Sequence, residues 1–222
     1  MDIARTTITL SPAELRQLRS AVERDASELE HRLSHPIEVD RYEQPFFRRH
    51  RILEISSAIP FPARSITVAA WDGGMHVLSA NLEHLQGVAA HDPPLDLDDE
   101  TRAAGYARHG QGWTSDYALG ELRIGTFSDI PWLASLDDAQ EAVISDLAAR
   151  LGDAITVEQR RRVAEGWSFR AWWLAHRCLI ERELVVPLDG TLRRNDTIHA
   201  RDLPVPAGNH WRFVNGRYLP VG

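Results

Sequence analysis

Lysine is absent from this 222-residue chain, and all 25 of its basic residues are arginine. Arginine stays protonated near neutral pH and forms no Schiff base. Lysine-dependent chemistry is therefore excluded, including pyridoxal phosphate attachment and a P-loop lysine. A GC-rich genome is the ordinary source of such a bias. Cysteine is nearly absent too. A single residue, Cys178, excludes an intramolecular disulfide framework and a cysteine-based zinc site, and its ordinary role is a buried thiol. No apolar run approaches the ~20 residues needed to cross a bilayer. The start, Met1-Asp2-Ile3-Ala4-Arg5-Thr6, lacks a basic segment followed by an apolar one, so no secretory signal is expected and a cytoplasmic, non-membrane location is. The sequence contains no G-x-G-x-x-G, G-x-x-x-x-G-K, H-E-x-x-H or G-x-S-x-G, which removes the usual support for nucleotide-binding, zincin and hydrolase-elbow chemistry. Neither a cofactor nor a bound metal is expected.

What is present is ordinary for a folded chain: 43% hydrophobic and 26% charged residues. The length suits one compact domain over 1–222. A finer division gives an α+β part over 1–130 and a winged-helix-like part over 135–201. The net charge of -7 is uneven. Residues 1–155 carry 14 arginines and 25 acids, whereas residues 156–201 carry nine arginines and six acids. The first stretch repels nucleic acid and the second only tolerates it.

Ser11-Pro12-Ala13-Glu14 predicts a helix start, with a serine cap, proline at the first position and a glutamate closing a capping box. Leu15, Leu18, Val22, Leu29 and Leu33 carry its stripe, so a helix is expected over 12–34, ending before His35-Pro36. Residues 51–55 suit a short strand. A hairpin follows, with strands at 66–71 and 75–78 around Asp72-Gly73-Gly74. Helices are expected over 82–91 behind Asn81, over 99–110 behind Asp98, and over 135–151, the last ended by Gly152 in a left-handed conformation. Residues 121–127 alternate like a strand. Thr156-Val157-Glu158-Gln159 suits a capping box for a helix reaching Gly166.

Residues 167–183 fit two patterns. As a strand, Trp167, Phe169, Ala171 and Trp173 share one face, but Trp172 and Leu174 crowd the other. As a helix behind Ser168, residues 169, 172, 173, 176 and 180 form one stripe, and composition favours helix. A helix is expected. Asp189-Gly190 and Asn215-Gly216 mark two further hairpins. The class expected is α+β, with about five or six helices, three antiparallel hairpins and a winged-helix-like carboxy-terminal portion. In that portion Arg160, Arg161, Arg162, Arg193 and Arg194 would meet phosphate. The would-be recognition helix is too apolar for a major groove, so nucleic acid is not the expected partner.

Seven tryptophans supply core, and they also line small-molecule pockets. Trp71, Trp113, Trp172 and Trp173 are the candidate ligand contacts, with Arg170 and Arg177 to pair an anionic substrate. For acid–base chemistry, which needs a positioned imidazole or carboxylate, His76 and His176 are the candidate proton shuttles, oriented by Asp72 or Asp92. The ordinary role of His176 is a core histidine. His50 with Glu54, and His76, His84, His91 and Asp92, are the residues whose types suit metal ligation; surface or capping roles are the simpler ones. The function expected is binding or turnover of a small organic molecule in an aromatic-lined pocket by cofactor-independent acid–base chemistry. The alternative is an interaction protein using residues 135–201 on nucleic acid or a protein partner; the partners allowed for the whole chain are a protein partner or a homo-oligomer.

Overall fold

The computed structural model describes residues 3–26, 36–57, 65–115, 121–156 and 158–206, together with the backbone of 211–214 and 217–220. The chain clusters into two compact units. One comprises Met1–Asp116 with Val186–Leu192, the other Tyr117–Val185 with Arg193–Gly222.

The first unit holds a five-stranded sheet: β1 (Arg5–Ile8), β2 (Ile37–Tyr42), β3 (Arg51–Ser57), β4 (Ser65–Trp71) and β5 (Gly74–Val77). The strands pair antiparallel in sequence order. β3 and β4 are rich in isoleucine, valine and leucine, which suit a buried pleat, and Ile52, Leu53, Ile55, Ile66 and Val68 are all buried. Three helices accompany the sheet: α1 (Pro12–Asp25), α2 (Leu82–His91) and α3 (Glu100–Thr114). α1 packs against β5 through a stripe that includes the buried Leu18, Ala21 and Val22.

The capping box of α1 forms in full. Ser11 Oγ accepts from the Glu14 N–H at 3.3 Å, and the Glu14 carboxylate accepts from the Ser11 N–H at 2.8 Å and from Arg51 at 2.8 Å. The Arg51 and Ser11 bonds hold the Glu14 carboxyl down at about 2. At the tip of the later hairpin, Gly190 has φ +82°, and a Cβ there would sit 2.3 Å from the Pro94 ring. Conformation and close approach both require glycine.

The second unit holds β6 (Leu122–Ile124), a single 3₁₀ turn (Phe127–Asp129), α4 (Asp138–Leu151), β7 (Gln159–Val163), β8 (Gly166–Ala175), β9 (Cys178–Pro187) and β10 (Arg193–Ala200). The sheet order is β10-β9-β8-β6, and β7 pairs with β8 as well. β6 meets Trp172–Leu174, whereas β7 meets Gly166–Arg170. Leu147 of α4 joins Leu122, Ile124, Trp172, Leu174 and Leu179 in the core. The backbones of β11 (Trp211–Val214) and β12 (Arg217–Pro220) form a separate antiparallel pair. The turn expected at Asn215-Gly216 lies outside the described residues, as does the part of the first expected helix beyond residue 26.

The expectation of five or six helices with a winged-helix-like carboxy-terminal portion is overturned. The described residues form four α-helices among two five-stranded antiparallel sheets. Both missing helices are strands. The segment read as a capped helix over 156–166 contains β7. The segment 167–183 lies in β8 and β9, joined by a tight turn in which His176 and Arg177 both have positive φ, 50° and 60°. The crowding of Trp172 and Leu174 that spoke against a strand is real, but both faces of β8 are covered. Trp172 and Leu174 enter the core, while Phe169 and Ala171 are buried as well. A strand covered on both faces loses its period-two signature. With no recognition helix, the expected phosphate contacts lose their frame. Their arginines take other partners: Arg161 meets Glu183, Arg193 meets Glu165 and Arg194 meets Asp196. Gly152, expected to be left-handed, is right-handed at φ -52°. Among the described residues no helix is long and apolar enough to cross a membrane.

Candidate functional site

A cavity of about 380 Å³ opens in the first unit, lined by Arg49, His50, Trp71, His76, Glu83, His84, Gly87, Val88 and His91. Four of the nine lining residues are histidines, and they come from different parts of the chain. His50 immediately precedes β3, Trp71 ends β4, His76 lies on β5, and His84 and His91 lie about two turns apart on α2. Hydrogen bonding explains how this part of the chain folds locally. The Asn81 side chain caps α2 by accepting from the His84 N–H at 3.1 Å. That starts the helix where His84, Gly87, Val88 and His91 share one face.

The wall is a file of rings. His50 and Trp71 have centroids 5.5 Å apart, Trp71 and His76 stack at 5.0 Å and 26°, and His76 and His84 lie 4.9 Å apart. His50, His76 and His84 each hydrogen-bond a different partner. Asp92, buried and directly after α2, accepts from the Arg49 N–H at 2.6 Å and from the His50 N–H at 3.0 Å, and sits 3.1 Å from His50 Nδ1. Burial acts to raise the Asp92 carboxyl, but these donors more than offset it and hold it below the ordinary aspartate range. The carboxylate is therefore ionised and acceptor-only, which assigns the Nδ1 proton to His50 and leaves Nε2 without a hydrogen-bond partner among the described residues.

At the other end of the file, Asp25 closes α1. Arg24 grips its two oxygens at 2.6 and 2.8 Å and also reaches His76 Nδ1 at 3.2 Å and the Met75 carbonyl at 2.9 Å. A guanidinium can only donate, so His76 Nδ1 accepts and the neutral ring carries its proton on Nε2. Burial, then the neighbouring His84 and Arg24, lowers the His76 imidazole, which favours that neutral form. Val77 ties the group to β5. Its N–H donates to Asp25 Oδ2 at 3.2 Å, and its carbonyl accepts from His84 Nδ1 at 2.7 Å. The cavity lining thus brings together His50, His76, the Trp71 ring and Arg49.

No protein-family model matches this chain, and no curated protein or solved structure matches it either.

The residues singled out from sequence distribute unevenly. Trp71 and His76 are on the cavity wall. Asp92 stands directly behind it, but it orients His50, whereas the charged neighbours of His76 are Arg24 and Asp25. Asp72 is exposed in the β4–β5 turn. Trp113 is 2% exposed, set among Tyr42, Phe46, Phe47 and His109 in a buried ring cluster. The other four candidates belong to the second unit. His176 and Arg177 form the exposed β8–β9 turn, where Arg177 donates to the Leu203 carbonyl at 3.0 Å. Trp172 is core, Trp173 covers the Arg182 guanidinium at 5.2 Å, and Arg170 lies beside Glu181 and Glu183.

Sequence reasoning missed Arg49, Asp25, Glu83 and Gly87 as neighbours of this wall, and paired His50 with Glu54. Glu54 instead meets Tyr42 and Arg5. The excess of histidine over 76–92 was the available signal, and His76, His84 and His91 from that stretch do line the cavity.

Proposed function

We propose that the first unit binds a small organic anion in the histidine-lined cavity and exchanges a proton with it at His50. The observation that carries this reading is the pairing of His50 with the buried Asp92 on the wall of a cavity large enough for such a ligand. Asp92 holds the Nδ1 proton and the ring orientation, so Nε2 is available to take a proton from a bound molecule. Arg49 supplies a planar, permanently charged partner for a carboxylate or phosphate group. The Trp71 face suits a flat apolar portion, and the His76 Nε2–H can donate to a developing oxyanion.

The test uses ligand-detected NMR with a panel of aryl and alkyl carboxylates and phosphates. Gly87 provides a plug, because a Cβ added there meets nothing within 4 Å and any other ordinary residue favours a helix interior over glycine. Panel members should bind the wild type, lose binding in Gly87→Phe with the fold intact, and weaken about tenfold or more in Arg49→Gln. A bound carbon acid should take up deuterium from heavy water with the wild type and not with His50→Gln. A panel without binders, or binders indifferent to Gly87→Phe, overturns the binding site. Exchange that survives His50→Gln overturns its role as the base.

A further inference from the structure

We infer that Asp25, His76 and His84 form a binding site for a single divalent transition-metal ion of the zinc class at the α1 end of the cavity. One ring nitrogen from each histidine and one carboxylate oxygen of Asp25 lie within 4.8 Å of one another. Asp25 Oδ2 is 3.5 Å from His76 Nδ1 and 3.8 Å from His84 Nδ1. Donors around a tetrahedral zinc ion, with bonds of about 2.0–2.1 Å, stand about 3.3 Å apart, so side-chain adjustments suffice and the backbone can stay in place. Two imidazoles and a carboxylate are a hard-to-borderline donor set that suits zinc, cobalt or nickel better than calcium or magnesium. Three protein ligands leave the fourth position open, and two of the three residues line the cavity.

The three side chains come from α1, β5 and α2, and β5 fixes their spacing. Val77 holds Asp25 through its N–H, an outer contact of the kind that orients a metal ligand, and in the metal-free arrangement its carbonyl holds His84. The His84 nitrogen 3.8 Å from Asp25 is Nδ1, so ligation there exchanges the Val77 carbonyl contact for the metal. In the metal-free arrangement Arg24 supplies the positive charge, lying against both Asp25 oxygens and His76 Nδ1. Its side chain is 52% exposed, so it can swing into solvent when an ion takes its place. Arg24 thus acts as a built-in competitor, which a purely structural hydrogen-bond cluster would not need to be. The site does not rest on the organic-anion reading.

Tag-free protein titrated with Co²⁺ and then Zn²⁺ tests it, read by the visible absorption of four-coordinate cobalt and by calorimetry. One equivalent should bind. His76→Ala and His84→Ala should each weaken binding more than about 100-fold, beyond the loss typical of an outer contact, and His91→Ala should leave it in place. Arg24→Met should bind roughly tenfold more tightly, since a competing charge is gone. This gain is readable even where Asp25→Ala fails to fold. Absence of stoichiometric binding in both the wild type and Arg24→Met overturns the site. So does binding that survives both histidine variants, or that requires His91. The carboxylate panel, run with chelator present, reports on the organic ligand independently of these outcomes.

Discussion

Trp71 and Trp172 each sit against a histidine, yet their surroundings put them to different uses. In the first unit Trp71 stacks on His76 at 5.0 Å and stays half-buried on a cavity wall. In the second, Trp172 meets His199 at 4.7 Å but is 5% exposed, enclosed by Leu122, Ile124, Leu147, Leu174 and Leu203. The charges differ in the same way. Arg182, 2% exposed, is held by Glu121 at 2.6 and 2.9 Å and by Asp196 at 2.8 Å twice, so four of its five N–H donors are engaged. Arg49 lies on a cavity wall. Aromatic and ionisable residues acquire binding potential where neighbouring side chains leave space, as at Gly87, and lose it where branched aliphatics fill that space.

The largest effect expected from this contrast is in the second unit. Trp172→Ala should cost about 3–5 kcal/mol of unfolding free energy in urea, whereas Trp71→Ala should cost about 1 kcal/mol or less. Equal losses would mean that Trp71 is core and the cavity is not a preformed space. Next, Arg182→Met should cost about 3 kcal/mol, because it leaves Glu121 and Asp196 facing each other partly buried. A neutral result would show that the methionine repacks against Trp173 well enough to replace the ion network.

A smaller effect is acid sensitivity of the first unit. The Glu14 carboxyl is depressed in the fold, from the ordinary 4.5 to about 2, so it stabilises the native state fully above pH 4.5 and loses that contribution as pH falls toward 2. About 1–2 kcal/mol should disappear over that interval after allowance for solvent screening. Glu14→Gln should flatten this part of the pH–stability curve, and an unchanged slope would assign the acid response elsewhere. Smallest of all, Gly87→Ala should raise stability by about 0.5–1 kcal/mol, measured as a shift in the urea midpoint, and the cavity should persist.

Local chemistry made several elements legible. Ser11 and Glu14 announce α1, Asn81 announces α2, and Asp72-Gly73-Gly74 marks the β4–β5 turn. Where a cap had close competitors, the boundary moved: Asp99 caps α3 in place of Asp98, and Asp137 caps α4, whose first residue, Asp138, comes three residues after the expected start at 135. β1 and β2 left no comparable trace. β1 is exposed over Arg5–Thr7, and β2 alternates acids with apolar residues amid proline-rich sequence. The β8–β9 turn was hidden because His176-Arg177 carries no glycine or asparagine to signal its left-handed pair.

The candidate site was legible only in part, as a histidine excess beside a tryptophan-bearing hairpin. The pairing of Asp92 with His50 spans 42 residues, and Arg24 reaches His76 across 52. No spacing rule reaches so far. By itself the sequence determined what this protein lacks, lysine chemistry and cysteine frameworks, and where its capped helices begin, because these depend on residue identity and on partners a few positions away. Tertiary structure alone decided that residues 159–187 are strands and that Asp25, His76 and His84 meet. Periodicity stops discriminating when both faces of an element are buried, and side chains from three elements find one another only after the sheet has set their register.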